Sequence, residues 1–142
     1  MNAPQLSPQS GLDEPLRLAE LAAGPFVPLA EALPAMLWLG DSEGGCVYLN
    51  RALREFWGVS ASDLPTFNWA STLLTEDAAG LYGEYSAAMA AQRPFIVRAR
   101  YRRADGEVRV LETRGEPRFA PNGAFLGMVG INLDVTDSAA GF

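Results

Sequence analysis

The 142-residue sequence contains no histidine and no lysine, and its eleven basic residues are all arginines. Without histidine, the chain cannot form a Ser-His-Asp or Cys-His catalytic group, ligate zinc or haem iron through imidazole, or carry a phosphoacceptor histidine. Without lysine, it cannot form a Schiff base or supply the lysine of a phosphate-binding loop. Together the two absences exclude many common enzyme classes.

Cysteine and long apolar segments are also scarce. The single cysteine, Cys46, excludes an internal disulfide and is typical of a reducing compartment. No apolar run reaches the length of about 18 residues that a membrane-spanning helix needs, and the first residues lack the basic-then-apolar pattern of a signal peptide. We therefore expect a cytoplasmic protein without a membrane partner.

The charged residues give the chain an acidic character. The formal net charge is −6 and the isoelectric point is near 4.6. Nucleic acids and anionic membranes both need a basic surface, so neither is an expected partner. A protein or a small molecule is the expected partner instead.

The order of the predicted elements indicates an α+β fold. Apolar runs, turn signals and helix caps predict strands at 33–39 and 46–49, a helix at 51–57, a helix from a Thr75 cap to Arg93-Pro94, and strands at 95–102, 107–114 and 125–133. Such an order gathers the helices on one face of an antiparallel sheet. The length suits one domain with one core.

Two N-terminal segments precede this core. Residues 1–11 are rich in proline and polar residues, which predicts a disordered leader. Residues 12–32 are predicted to form a helical cap, in which Asp13 begins a helix that Gly24-Pro25 ends. Because so short a helix is marginal alone, we expect it to pack on another surface and to make the protein a homodimer. The predicted dimerisation residues are Leu12, Leu16, Ala19 and Ala23.

The dipeptide Asp105-Gly106 between two alternating strands predicts a hairpin with a two-residue turn. That turn would pair Tyr101 with Val110 and Arg103 with Val108. The predicted core face of the hairpin then carries Phe95, Val97, Ala99, Tyr101, Val108 and Val110. The other face carries Ile96, Arg98, Arg100, Arg102, Arg109 and Leu111. Its arginines either bind an acidic partner or the acidic N-terminal helix with Asp13, Glu14 and Glu20, or they form an ordinary solvated surface, which is the favoured interpretation.

The same alternation directs Glu112 and Arg114 toward the core side, where an unpaired charge is costly. Either the two side chains pair near the mouth of an internal cavity, or a bulge turns them outward. Bulges are common near sheet edges, and the nearby Gly115 favours one here. Both alternatives stay open.

Aromatic residues and the cysteine each have a structural and a functional interpretation. The aromatic residues either line a ligand pocket or simply form core, and core is the commoner role. This group consists of Trp38, Phe56, Trp57, Phe67 and Trp69. Cys46 is interpreted as a small buried residue.

Several short motifs occur in an order that resembles a PAS domain. Residues 101–107 read Tyr-Arg-x-x-Asp-Gly-Glu, and the last strand ends in Asp134-Val135-Thr136. Upstream the resemblance continues through Asp41, Gly44, Tyr48-Leu49-Asn50, Trp57-Gly58, and Trp69 before Glu76-Asp77. The family's usual His-Pro ahead of the acidic residues is absent, because Leu74-Thr75 stands there. The resemblance covers residues 33–137, and residues 138–142 are predicted to begin a C-terminal linker.

The resemblance implies a five-stranded antiparallel sheet with helices on one face and an N-terminal amphipathic helix outside. It also implies a non-catalytic signal-transduction module, which dimerises or binds other proteins and relays a signal to an effector such as a histidine kinase of a two-component system. In such proteins Asp134 and Thr136 would lie where the signal leaves the sheet. The candidate ligand-cavity residues are Trp57, Trp69, Tyr85, Tyr101, Val110, Glu112 and Arg114.

No cofactor is expected. Haem would need a histidine, and Cys46 begins the second strand, whereas the flavin-adduct cysteine of light-sensing LOV domains follows the short helices. Two other functions stay open. A sensor domain would bind a small apolar molecule in an internal cavity. More remotely, a ketosteroid-isomerase-like enzyme would need a carboxylate such as Glu112 in an apolar pocket.

Overall fold

The structure, a computed structural model, describes residues 26–138. Its elements are helix α1 (Phe26–Ala32), strands β1 (Met36–Gly40) and β2 (Cys46–Leu49), helix α2 (Arg51–Trp57), 3₁₀ helices at Ala61–Thr66 and Trp69–Thr72, helix α3 (Thr75–Ala91), strands β3 (Phe95–Arg102), β4 (Val108–Phe119) and β5 (Phe125–Asp134), and a 3₁₀ helix at Thr136–Ser138. The five strands form one antiparallel sheet in the order β2-β1-β5-β4-β3. The predicted α+β fold class is confirmed.

The sheet separates two groups of buried side chains. On its inner face, α2 and α3 pack against the strands around Leu53, Trp57, Leu81, Tyr101 and Leu111. On its outer face, α1 covers β1 and β2 around Ala30, Leu37, Leu39, Val47 and Tyr48. Successive side chains of a strand point to opposite faces, so the neighbours Leu37 and Trp38 belong to different clusters.

Asn50 fixes the junction of α1, β1 and α2. Its side chain is fully buried, and its oxygen accepts hydrogen bonds from the backbone N–H groups of Leu37 at 2.9 Å and Leu53 at 3.2 Å. Its amide nitrogen donates to the carbonyls of Ala30 and Ala35, both at 2.8 Å. The bond to Leu53 caps α2, so the predicted Asn50 cap is confirmed.

The β3–β4 hairpin differs from its prediction by one residue. Its loop spans residues 104–106, and Gly106 adopts a left-handed φ of 87°. A three-residue loop that ends in a left-handed residue is the commonest alternative to the two-residue turn, and it shifts the pairing by one position. Tyr101 therefore pairs with Arg109, and Arg102 pairs with Val108. The predicted register was wrong.

In this register, each side chain of β4 lies on the face opposite to the predicted one. Leu111, expected on the outer face, is 0% exposed on the inner face, whereas Val108 is 42% exposed. Glu112 and Arg114 lie on the outer face with Val110. The β3–β4 pairing continues without interruption from Phe95–Gly115 to Arg102–Val108, so no bulge turns these side chains outward. The register alone puts them outside.

Three element boundaries also differ from the predictions. Strand β1 begins at Met36 because α1 ends only at Ala32, and β4 extends to Phe119. Thr75 does not cap α3. It is the first helical residue, and Leu74 before it makes no side-chain cap bond.

Residues 1–25 and 139–142 are outside the described part of the chain. The predicted leader, the helix beginning at Asp13 and nearly all of the predicted linker fall there. So do the predicted dimerisation residues Leu12, Leu16, Ala19 and Ala23, which stay predictions. Between residues 26 and 138, no helix has the length and apolar character needed to cross a membrane.

Candidate functional site

A cavity of about 70 Å³ lies between the inner face of the sheet and the helices. The sheet contributes Trp38, Gly40, Cys46, Leu49, Phe95, Tyr101, Thr113 and Asn132, and the remaining lining residues are Gly44, Leu53, Trp57, Trp69, Leu81, Tyr82 and Tyr85. None of these fifteen residues carries a formal charge at neutral pH. The cavity therefore suits an uncharged occupant, because burying an unpaired ion is costly.

Aromatic rings form one wall of the cavity around Trp57. Its ring centroid lies 6.5 Å from that of Trp69 in a stacked arrangement and 5.9 Å from that of Tyr101. Phe67 packs on Trp57 from another side, at 5.7 Å. Trp38, Trp57 and Trp69 belong to the inner core and line the cavity as well, so for them the two sequence interpretations are not exclusive. Phe56 and Phe67 pack on the core and do not line the cavity.

Two glycines make room for rings that line the cavity. Gly115 of β4 pairs with Gly130 of β5 on the inner face. A Cβ atom at Gly130 would approach the Trp38 ring to 2.2 Å, and one at Gly115 would approach the Phe95 ring to 2.3 Å. The Trp38 and Phe95 rings thus lie directly on the backbone, with their centroids 6.3 Å apart.

Polar groups in the cavity are few and lie mainly on the sheet. The Thr113 hydroxyl donates to Oδ1 of Asn132 at 2.9 Å. Burial raises the pKa of the neighbouring Tyr101 phenol, and a hydrogen bond with Thr113 opposes that rise only in part. Burial also raises the pKa of Tyr85, whose hydroxyl donates to the Gly44 carbonyl at 3.4 Å. Both phenols therefore keep their protons at neutral pH.

The indole nitrogen of Trp57 is buried and has no hydrogen-bond partner among the described residues. Buried polar groups are nearly always paired, and leaving one unpaired costs about 1–3 kcal/mol. This N–H group is thus an unsatisfied donor within the inner core.

The predicted cavity residues divide into two groups. Trp57, Trp69, Tyr85 and Tyr101 line the cavity. Val110, Glu112 and Arg114 do not line it. They lie on the outer face, because the hairpin register differs by one residue from the predicted one. Whether the cavity holds a ligand stays a prediction.

Sequence reasoning missed other cavity residues, among them Tyr82, Thr113 and Asn132. With the correct register, the alternation of β4 would have indicated Thr113, two residues after the buried Leu111. Asn132 pairs with Thr113 across the sheet, so the same register would also have indicated Asn132.

Glu112 forms an ionic cluster on the outer face. Its carboxylate accepts hydrogen bonds from Nε of Arg98 at 3.0 Å and from Nε of Arg114 at 2.7 Å. The two guanidinium groups hold the pKa of Glu112 below its usual value, with Arg114 contributing the larger effect. Glu112 is therefore ionised and lies away from the cavity, so it cannot be the acid or base of an apolar pocket.

Asp134 and Thr136 form a small hydrogen-bonded cluster where β5 ends. The Thr136 hydroxyl donates to Oδ1 of Asp134 at 2.6 Å and accepts from the backbone N–H of Val110 at 3.0 Å. Nε of Arg109 donates to Oδ2 of Asp134 at 2.8 Å. Partial burial favours a higher pKa for Asp134, but the bonds from Arg109 and Thr136 outweigh it and hold the pKa below its usual value. The cluster ties the end of β5 to β4.

Asp77 of the acidic pair Glu76-Asp77 has a structural role. Asp77 accepts from the backbone N–H of Arg100 at 2.7 Å and forms a second bond, also at 2.7 Å, with its guanidinium group. These bonds attach the first turn of α3 to the edge strand β3. Between residues 26 and 138, no group of Cys, Asp and Glu is arranged to hold a metal ion.

The family model for the PAS fold matches residues 46–132. The chain therefore belongs to the PAS fold family, and the resemblance found in the sequence is confirmed. A curated relative, the uncharacterized protein y4lL of Sinorhizobium fredii, is 30% identical over 112 residues, which are 79% of this chain and 14% of y4lL. The chain thus spans about one seventh of that relative's length.

Solved structures share the fold at low sequence identity. The PAS domain of a Colwellia psychrerythraea protein has a TM-score of 0.66 at 18% identity, covering 84% of this chain and 98% of that one. A sensory box histidine kinase/response regulator from Burkholderia thailandensis has a TM-score of 0.61 at 24% identity, covering 83% and 89%. VqmA bound to DPO has a TM-score of 0.64 at 21% identity, covering 80% and 57%. At these identities the neighbours show the shared fold alone.

Proposed function

We propose that this chain is a non-catalytic PAS module that relays a signal from its sheet to a protein effector, such as a histidine kinase. The observation that carries the proposal is the hydrogen-bonded cluster at the end of β5. Through it, Asp134 and Thr136 join the last strand to Arg109 and to the backbone of Val110. A conformational change in the sheet would alter this cluster first, and only then would the change reach the chain that follows β5.

The cluster is suited to transmitting a signal because its hydrogen-bond geometry is specific and its contribution to stability is small. Exposed ion pairs contribute about 0–1 kcal/mol, so the cluster can rearrange without unfolding the domain. Its atoms also link two strands: Asp134 belongs to β5, and Val110 belongs to β4. A shift of β4 against β5 would therefore be converted into a changed direction of the chain at Thr136.

The test replaces both Asp134 and Thr136 by alanine in the complete natural protein, with effector output as the readout. We expect loss of coupling between stimulus and output, together with a small decrease in melting temperature. Asp105→Ala is the matched control, because Asp105 also pairs with an arginine and a backbone N–H but lies at the β3–β4 turn. Full signalling by the double variant, or equal loss in the control, would refute the relay role.

We further propose that the module dimerises through its N-terminal segment. Support comes from the outer face, where α1 covers β1 and β2 but leaves Ile96 59% exposed and Val108 42% exposed on the strands beyond. Deleting residues 1–24 should halve the mass measured by light scattering. An Ile96→Asp variant should have the same effect if the dimer interface includes this face. An unchanged mass in the deletion variant would contradict the proposal.

A second candidate function is small-molecule sensing, favoured by the uncharged cavity on the inner face. Fold similarity to VqmA bound to DPO is compatible with it, although an identity of 21% transfers the fold alone. Extraction of purified protein, followed by mass spectrometry, would test this candidate. A stoichiometric small molecule released on denaturation would support it, and its absence after expression in the native host would count against it.

A further inference from the structure

The side-chain amide of Asn132 brings an unpaired hydrogen-bond donor into the cavity wall. Asn132 lies on the inner face of the central strand β5, between Met36 of β1 and Thr113 of β4. Its residue surface is only 5% exposed, and it lines the cavity. Its Oδ1 accepts a hydrogen bond from the Thr113 hydroxyl at 2.9 Å, whereas its Nδ2 bonds to no residue between 26 and 138.

This amide nitrogen is accessible from the cavity. Among the described residues, the fully enclosed side-chain atoms that lack a hydrogen-bond partner are Nε1 of Trp57 and Nε of Arg118. Nδ2 of Asn132 also lacks a partner but is not one of these enclosed atoms, so part of its surface is open. Because strands flank Asn132 on both sides and helices cover this face of the sheet, the opening is the cavity.

The hydrogen bonds around Asn132 leave its nitrogen available as a donor to a ligand. A hydroxyl carries one hydrogen, and that of Thr113 goes to Oδ1 of Asn132. The Tyr101 phenol is hydrogen-bonded with Thr113, so its own proton goes to the Thr113 oxygen. This chain of bonds uses every donor except the two N–H bonds of Nδ2. A ligand that satisfies them must bring an acceptor atom.

The rest of the cavity restricts the ligand further. Its lining residues are uncharged, which disfavours an ionic ligand. Its volume of about 70 Å³ is less than half of the about 150 Å³ in which a protein cavity holds benzene, so the ligand is smaller than benzene. The stacked rings of Trp57 and Trp69 favour a flat molecule.

We propose that the cavity binds a small, neutral carbonyl compound whose oxygen accepts a hydrogen bond from Nδ2 of Asn132. This inference rests on the small-molecule-sensing candidate and adds the recognition element. An apolar ligand of the same shape leaves both N–H bonds unpaired and gains only the contacts with the cavity wall. A carbonyl adds a hydrogen bond without burying a charge.

The experiment compares two probes of nearly the same shape on the full 142-residue chain. Cyclobutanone has a carbonyl acceptor, and methylenecyclobutane has a CH₂ group in its place. The readout is the pair of ¹H–¹⁵N side-chain amide signals of Asn132, assigned by through-bond correlation in the unmodified protein. We expect a saturable downfield shift of these signals with cyclobutanone and none with methylenecyclobutane.

Two variants separate the hydrogen bond from the shape of the cavity. Asn132→Leu keeps the approximate size of the side chain and removes the donor. It should weaken cyclobutanone binding about three- to tenfold, as expected for loss of one hydrogen bond, and should leave methylenecyclobutane within about twofold. Leu81→Val is the matched control, because Leu81 lines the cavity without a polar group, and it should affect both probes equally. If Asn132→Leu does not fold, the titration of the unmodified protein decides alone.

The contrary outcomes are distinct from failure of the sensing candidate. Equal binding of both probes with unmoved Asn132 signals would overturn the inference and leave the sensing candidate standing. Pyrrole is a flat ring of similar size with an N–H donor, and its preferential binding would mean that Oδ1 faces the cavity, which also overturns the inference. So would long-lived water on the Asn132 amide that cyclobutanone does not displace. Binding of none of these probes would overturn the inference, whereas the sensing candidate is decided separately by extraction and mass spectrometry.

Discussion

The two faces of the β3–β4 hairpin differ in how far they are buried and in which side chains they carry. The inner face excludes water with apolar and aromatic side chains and retains a few neutral polar groups around a cavity. The outer face holds Glu112 between two arginines and leaves Ile96 largely exposed. The inner face of the hairpin therefore carries the buried apolar cluster, whereas the outer face provides charge and exposed apolar side chains. Because the faces alternate residue by residue, adjacent positions should respond very differently to substitution.

The largest difference is expected between the neighbours Leu111 and Val110. Leu111→Ala should lower the free energy of unfolding by about 2–5 kcal/mol, because it leaves a void in the inner core. Val110→Ala should lower it by less than about 1 kcal/mol, because the side chain is on the partly solvated outer face. Urea unfolding of both variants measures the two effects. The opposite ranking would restore the register first predicted for the hairpin.

Gly130 tests how closely the rings pack on the inner backbone. Gly130→Ala should cost about 1–3 kcal/mol through overpacking, because its Cβ would meet both the Trp38 ring and the Arg114 carbonyl. Gly80→Ala is the control, since Gly80 lies in α3 with nothing within 4 Å of a new Cβ. That substitution should stabilise the protein by up to about 1 kcal/mol through helix propensity. A neutral Gly130→Ala would mean that Trp38 does not lie on this strand.

The ion pair of Glu31, a residue of α1 on the outer side of the sheet, should make the free energy of unfolding depend on pH. Its carboxylate accepts from Arg54 at 2.7 and 2.8 Å and from the Tyr48 hydroxyl. The pKa of Glu31 is lowered from 4.5 to about 2, and the hydrogen bond from Arg54 is the main cause.

Because the folded pKa is below the unfolded one, the stabilisation is complete above pH 4.5 and is lost as the pH falls toward 2. The difference in urea midpoint between the unmodified protein and Glu31→Gln should shrink over that range. Glu84, whose exposed pair with Arg93 does not involve Glu31, provides the control variant Glu84→Gln. A difference independent of pH would contradict the prediction.

The smallest effect is expected from Arg98→Gln on the outer face. Its side chain is 42% exposed, and Arg114 still pairs with Glu112 when Arg98 is removed. The stability change should fall in the range of exposed ion pairs and should disappear as added salt screens the charges. Thermal unfolding at low and high salt measures it. A large, salt-independent loss would show that this arginine packs as part of a core.

Local signals in the sequence were sufficient for much of the fold. Asn50 and the positive-φ Gly58 set the two ends of α2, because a cap depends on hydrogen bonds only a few residues away. The order of strands and helices also indicated the α+β class, because each element has its own local signals in the sequence. The cavity was only partly predictable. Trp57, Trp69, Tyr85 and Tyr101 were identified as cavity residues, and Trp38 was interpreted as either pocket or core. Thr113 and Asn132 were missed, because they line the cavity through pairing of strands that are distant in the sequence.

By itself, the sequence determined the α+β class, the capped helix after Asn50 and the absence of histidine and lysine chemistry. The tertiary structure decided the hairpin register and, with it, the positions of Val110, Glu112 and Arg114 outside the cavity. Asp-Gly is compatible with both a two-residue and a three-residue loop, and a change of one residue reverses every side chain of a strand. Likewise, only folding leaves the Trp57 N–H buried without a hydrogen-bond partner among the described residues. This outcome depends on which atoms from β3, α2 and the second 3₁₀ helix pack around Trp57.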